Sequence, residues 1–149
     1  MQISVLSHRD PEWLDLTAFE RLAAFVLDWE DVPDGVELSV AVVDVEEMAE
    51  LNGRYCGKDG STDVLAFPCD DPCMVLEKGE LVAIGDVVIA PQVAEEQAVE
   101  SARTVESELN LLLVHGVLHL LGYDHGSDEE AAVMQAKEQA VLAAWEMAL

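Results

Sequence analysis

Basic residues are scarce in this sequence: 7 lysines and arginines stand against 31 aspartates and glutamates, a formal charge of −24 at pH 7. A protein that grips nucleic acid mainly by neutralising phosphates is basic. Any RNA or DNA substrate would therefore have to be held by a local basic spot, a metal or a partner. Cysteine is scarce as well. Cys56, Cys69 and Cys73 are too few, and odd in number, for a secreted disulfide scaffold, so a reducing, cytoplasmic setting is expected. The longest apolar-rich run, Leu109 to Leu121, contains Asn110, His115 and His119 and is too short to span a bilayer. Met1 to Pro11 lacks the basic start and apolar core of a signal peptide. Aromatics are only 5% of the chain. Trp13, Trp29 and Trp145 are scattered and read as packing residues, and no RNA-recognition cluster is visible.

Apolar residues, in contrast, make up 51% of the 149 residues. That excludes a disordered acidic tail, which needs low hydrophobicity as well as high charge. The acidity reads as a solvated, self-repelling surface. No linker or repeat divides the chain, so residues 1–149 are expected to form a single domain.

Patterning predicts the elements in order. Gln2 to Ser7 reads as a strand. Thr17 to Glu30 reads as a helix with Thr17 as its cap and Phe19, Leu22, Ala23, Val26 and Leu27 on one face. Val36 to Val45 is a β-branched strand, and Glu46 to Tyr55 a helix. Asp63 to Phe67 is a strand stopped by Pro68, Asp70 to Gly79 is turn-like, and Leu81 to Ile89 is another strand. Pro91 suits the first turn of a helix running to about Arg103. Thr104 to Leu121 is apolar nearly all round, the mark of a buried central helix, and Gly122 is its stop. Ser127 caps a last helix to about Leu149, with Glu130 three residues on. Strands and helices mix without regular alternation. The expected class is α+β rather than a doubly wound sheet.

The chemistry concentrates at three of the four histidines, in His115-Gly-Val-Leu-His119-Leu-Leu-Gly-Tyr-Asp-His125. On a helix, His115 and His119 at i and i+4 share one face and can aim nitrogen lone pairs at a single ion. Gly122 breaks the helix, and His125 can return to the same ion. Three imidazoles and an open fourth position make a catalytic zinc arrangement, with one Zn2+ per chain. Burying unpaired imidazoles in a leucine-rich segment costs free energy that a metal recovers. The spacing H-x3-H-x2-G-x2-H is that of metzincin proteases, but those carry a glutamate base directly after the first histidine. Here that position is Gly116, which cannot take a proton and argues against a peptidase. Elsewhere, Cys69-x3-Cys73 lacks a second ligand pair and reads as loop cysteines. Cys56 is a candidate fourth ligand that would close the site, and His8 reads as a surface residue.

The signature from His115 to His125 resembles that of the YbeY family of bacterial rRNA maturation factors. So do Leu51-Asn52 followed by Thr62-Asp63-Val64-Leu65-x-Phe67-Pro68, and Gly85-Asp86-Val87. Met134 and Glu138 also sit where the family's last helix has such residues. The likeness covers about residues 40 to 145. It implies a single-strand-specific, metal-dependent endoribonuclease of α+β fold, a small mixed β-sheet packed by helices with the metal site on the buried central helix. That enzyme would act in 3′-end maturation of small-subunit rRNA and in ribosome quality control, with zinc on His115, His119 and His125. Its partners would be single-stranded rRNA and the ribosome or its proteins, with no DNA and no membrane. Asp63 and Asp86 are the candidate catalytic carboxylates, with turn or cap roles as the alternative. Asn52, Arg54 and Lys58 are the substrate-binding candidates, and Asp124 could orient an imidazole. One departure is Cys56, where the family usually has an arginine suited to clamping phosphate. That departure, the acidity and the missing base keep open a ribosome-assembly factor with a structural or vestigial zinc site; another zinc hydrolase is the further alternative, with Gly116 as the main evidence against it.

Overall fold

The computed structural model describes residues 2–7, 14–72 and 81–149. His8, Trp13 and Cys73 lie outside the described residues, as does most of the turn-like stretch after Asp71. The elements are β1 (Gln2–Ser7), α1 (Leu16–Trp29), β2 (Val36–Val42), α2 (Val45–Cys56), β3 (Val64–Pro68), β4 (Val82–Ile89), α3 (Pro91–Glu100), α4 (Val105–Leu120) and α5 (Asp128–Ala148). The four strands form one mixed sheet in the order β1-β2-β4-β3. β1 and β4 run parallel to β2, while β3 pairs antiparallel to β4 at the edge. The class is α+β, as the sequence implies.

Strand alternation divides the sheet into two faces. Val36, Leu38, Val40 and Val42 of β2 join Val87 and Ile89 of β4 in the main core, beneath residues of α1, α4 and α5. Val88, with Leu65 and Phe67 of β3, belongs to a smaller cluster built around Met48 of α2. A register shift after Glu37 places Gly85, rather than residue 84, opposite Leu38. The bulge sits at Gly85, whose φ is +143° and where a Cβ would come within 2.4 Å of the Phe67 carbonyl oxygen. Only glycine fits this backbone.

Capping chemistry sets the boundaries that differ from the sequence expectation. Asp15, not Thr17, caps α1, because its carboxylate accepts from the Ala18 N–H at 3.1 Å, leaving Thr17 inside the first turn. β2 ends before Asp44, which turns away to cap α2 through the Glu47 N–H. β3 includes Pro68, which an edge strand tolerates. α3 stops at Glu100, ahead of Ala102 at φ +55°. Ser127 caps α5 as expected, accepting from the Glu130 N–H. Trp145 packs edge-on against Phe25, as a packing residue should, while Trp29 stacks on Phe25 with much of its ring exposed.

The helix α4 is the buried central helix. Leu109, Leu112, Leu113, Val114, Val117, Leu118 and Leu120 are all core residues. It presses on β3 and β4 so tightly that a Cβ on Gly116 would lie 2.6 Å from Cγ1 of Val87. A glutamate directly after His115 is therefore excluded sterically. The absence of a peptidase base has a packing reason.

Candidate metal centre

His115 and His119 stand one turn apart on α4, both half-buried on an otherwise apolar helix. The helix then ends in a Schellman motif. The Gly122 N–H bonds the His119 carbonyl at 3.1 Å, and the Tyr123 N–H bonds the Leu118 carbonyl at 3.1 Å. Gly122 takes the positive φ of +106° that this turn needs. The chain reverses, and the His125 ring comes to 5.4 Å from that of His115 and 6.0 Å from that of His119, centroid to centroid. The three imidazoles that the sequence singles out are gathered in one place.

Each helix histidine is oriented through Nδ1. His115 Nδ1 lies 2.6 Å from Oε1 of Glu138, which is 7% exposed. His119 Nδ1 lies 2.9 Å from the carbonyl oxygen of Tyr123. A carbonyl can only accept, and so can an ionised carboxylate. In a neutral ring, a proton held on Nδ1 by such an acceptor leaves the lone pair on Nε2. Histidines prepared for metal binding show this arrangement, with the outer nitrogen held by a carboxylate or a backbone carbonyl. Among the described residues, no three His, Cys, Asp or Glu side chains already stand in the arrangement of a formed metal site. The donor set fits a zinc ion in kind: three imidazoles, two held through Nδ1 and one carried on an exposed turn.

The remaining candidates make contacts of their own. Asp86 pairs with Ser39 and lies beside Val87, whose side chain faces Gly116 of α4. Alternation turns the Asp86 side chain to the opposite face of the sheet, away from the histidines. Asp63 is engaged at both carboxylate oxygens. Its Oδ1 accepts from the Val64 N–H at 2.8 Å, and its Oδ2 accepts from Nε2 of Gln97 at 3.2 Å. Asn52 is buried and donates to the Gly60 carbonyl, closing the loop after α2. Asp124 accepts from the backbone N–H of His125 at 2.7 Å, stabilising the turn. The carboxylate beside an imidazole is Glu138. The sequence signal for it was there: Met134, Glu138 and Val141 form the inward stripe of α5, and only one of them is charged. Arg54 and Lys58 are exposed around the end of α2, with the Arg54 guanidinium 5.9 Å over the Tyr55 ring. Cys56 is exposed and free there.

The frame and the grouped imidazoles define an α+β protein with a histidine cluster at the end of its buried helix. Residues 9–146 match the family model described as Endoribonuclease YbeY. Three proteins named endoribonuclease YbeY show the same likeness. That of Salinispora tropica is 46% identical over 89% of this chain and 88% of its own length. That of Thermobifida fusca is 44% identical over 87% and 84%, and that of Geobacillus kaustophilus 42% identical over 86% and 85%. A Thermotoga maritima protein solved in solution superposes with a TM-score of 0.63 at 28% identity, covering 98% of this chain and 93% of that one. The chain belongs to the endoribonuclease YbeY family.

Proposed function

We propose that this chain, an endoribonuclease by family, is a zinc-dependent enzyme that cleaves single-stranded rRNA. Residues 1–149 act as one domain, and the cleavage serves 3′-end maturation of small-subunit rRNA and ribosome quality control in the cytoplasm. The observation that carries the reading is the pair of Nδ1 bonds, His115 to Glu138 and His119 to Tyr123, which leave both Nε2 atoms unengaged by these contacts while the His125 ring lies nearby. His115, His119 and His125 would hold one Zn2+. When bound, zinc supplies Lewis acidity toward a phosphoryl oxygen and lowers the pKa of bound water to about 7.

The chain's own residues do the rest. Glu138 and the Tyr123 carbonyl keep the two helix imidazoles in one tautomer and one orientation. Arg54 and Lys58, exposed beside Tyr55, offer a basic spot for phosphates on a strongly acidic protein. No helix among the described residues is long and apolar enough to cross a membrane.

The test is cleavage of a labelled single-stranded rRNA fragment by zinc-loaded parent beside His119→Ala. Cleavage by the parent alone supports the reading. Cleavage by both sinks the metal assignment. One observation favours a second reading: Cys56 stands exposed where relatives would carry a phosphate-clamping arginine. If neither protein cuts while the parent holds one zinc, the chain is a ribosome-assembly factor, drawn by its charge to basic ribosomal proteins.

A further inference from the structure

Glu30 is an unexpected carboxylate. It occupies the C-terminal cap of α1, where the helix dipole disfavours negative charge, and its side chain is only 9% exposed. Burial and position both act against it. Two groups offset that cost. The Tyr123 hydroxyl donates to Oε1 at 2.5 Å, and Lys137 Nζ donates to Oε2 at 3.2 Å. Both oxygens are used, and the three residues come from α1, the turn after α4, and α5. Lys137 Nζ also lies 6.0 Å from the centre of the Tyr123 ring.

Tyr123 is the residue whose carbonyl receives His119 Nδ1. Its side chain is thus tied to two helices, while its backbone orients a histidine. The same residue leads directly into Asp124 and His125. On α5, Lys137 is the neighbour of Glu138, which orients His115. One helix therefore reaches both helix histidines, directly through Glu138 and indirectly through Lys137, Glu30 and Tyr123.

We propose that Glu30, with Lys137, is a positioning residue for the histidine cluster: by anchoring the Tyr123 side chain it fixes the turn that holds His119 and delivers His125. The proposal rests on the metal-centre reading for its purpose, but the clamp itself is testable without metal. Without the anchor, the carbonyl of Tyr123 drifts relative to His119, and His119 samples both tautomers and more than one ring orientation. His125 loses its fixed approach at the same time. Zinc binding then has to order three groups that the parent chain holds ready.

The experiment compares the full-length parent with Tyr123→Phe, Glu30→Ala and Glu30→Gln. Zinc alone is titrated against a chromophoric chelator, and the His119 tautomer is read in the metal-free chain from long-range nitrogen–proton couplings. Tyr123→Phe and Glu30→Ala are expected to lose about ten-fold or more in zinc affinity and to show mixed His119 tautomers. Glu30→Gln, whose amide oxygen can still accept from the Tyr123 hydroxyl, should retain more affinity than Glu30→Ala. Val40→Ala, a fully buried site in β2, is the control for stability alone. It should lower the unfolding temperature and leave affinity and tautomer unchanged. Parent-like affinity and a single tautomer in both Tyr123→Phe and Glu30→Ala would overturn the proposal. If the parent itself binds no zinc, the metal reading fails and the tautomer decides: mixed tautomers in the variants uphold the clamp, and a single one overturns it.

Discussion

Glu138 and His115 meet at 2.6 Å although they belong to different helices and lie 23 residues apart. A carboxylate 7% exposed against an imidazole costs desolvation. It is matched by fixing the ring of His115 on the central helix. The bond gives α5 a task beyond covering the core, since it couples the last helix to the chemistry of the central one.

Glu138→Gln tests that coupling. The amide keeps the size of the side chain and can still accept from Nδ1, but the charge that strengthens the imidazole as a ligand is gone. Zinc affinity is expected to fall about 10- to 100-fold, with the unfolding midpoint close to that of the parent. Chelator competition and thermal melts read the two quantities separately. Unchanged affinity would make Glu138 a packing residue only.

Gly116→Ala separates packing from helix propensity. Propensity alone predicts a gain of about 1 kcal/mol from replacing a helical glycine. Packing predicts a loss, because the new Cβ would lie 2.6 Å from Cγ1 of Val87 and 3.4 Å from Cγ2 of Val64. Val87 is fully buried and has nowhere to yield. Overpacking of this kind costs about 1–3 kcal/mol, so a net destabilisation is expected in urea unfolding. A more stable variant would show that α4 can lift from the sheet without penalty.

What the sequence discloses follows the range of the interactions involved. α4 and the i, i+4 pair of histidines are local, so periodicity and spacing place them, and Gly122 announces the turn that returns His125. The helix caps are also local, but Asp15 and Thr17 compete within two residues, and only the backbone settles which one accepts. The face that Asp86 presents is not local. It depends on the bulge at Gly85, and a one-residue change of register exchanges the faces of a strand. The motif Gly85-Asp86-Val87 therefore marked a conformational necessity, while the face that Asp86 takes was left to the bulge. The partners Glu138 for His115 and Glu30 for Tyr123 arise from tertiary packing between distant helices, which no spacing rule reports.

The Glu30 network also predicts a stability change in alkali. Burial first, and then the bond to Glu30, raise the pKa of the Tyr123 hydroxyl. The bond to Glu30 raises that of Lys137. In both cases the fold favours the protonated form. The contribution is therefore complete below the ordinary values of about 10 and is lost as pH rises through the higher folded values. Urea midpoints measured from neutral pH to about 11 should fall more steeply in the parent than in a Tyr123→Phe, Lys137→Met double variant, while general surface effects cancel in the comparison. Equal slopes would mean that the network does not couple protonation to folding.

The last prediction concerns the end of α2, where the family likeness departs. Cys56 is the final residue of that helix, exposed and unpaired, beside Arg54 and Lys58. An arginine there would face solvent, so Cys56→Arg should leave stability within about 0.5 kcal/mol. If RNA passes over this end of the helix, the added guanidinium gains a phosphate contact. Each such contact releases counterions and steepens the dependence of log affinity on log salt by about 0.7 for a single strand. Binding of a fluorescent single-stranded RNA across a salt series reads this slope independently of cleavage. A slope steeper by roughly that amount, with tighter binding at low salt, places phosphate beside Arg54 and Lys58. An unchanged slope would move the RNA path elsewhere and remove Arg54 and Lys58 from the substrate-binding set, whatever the outcome at the histidines.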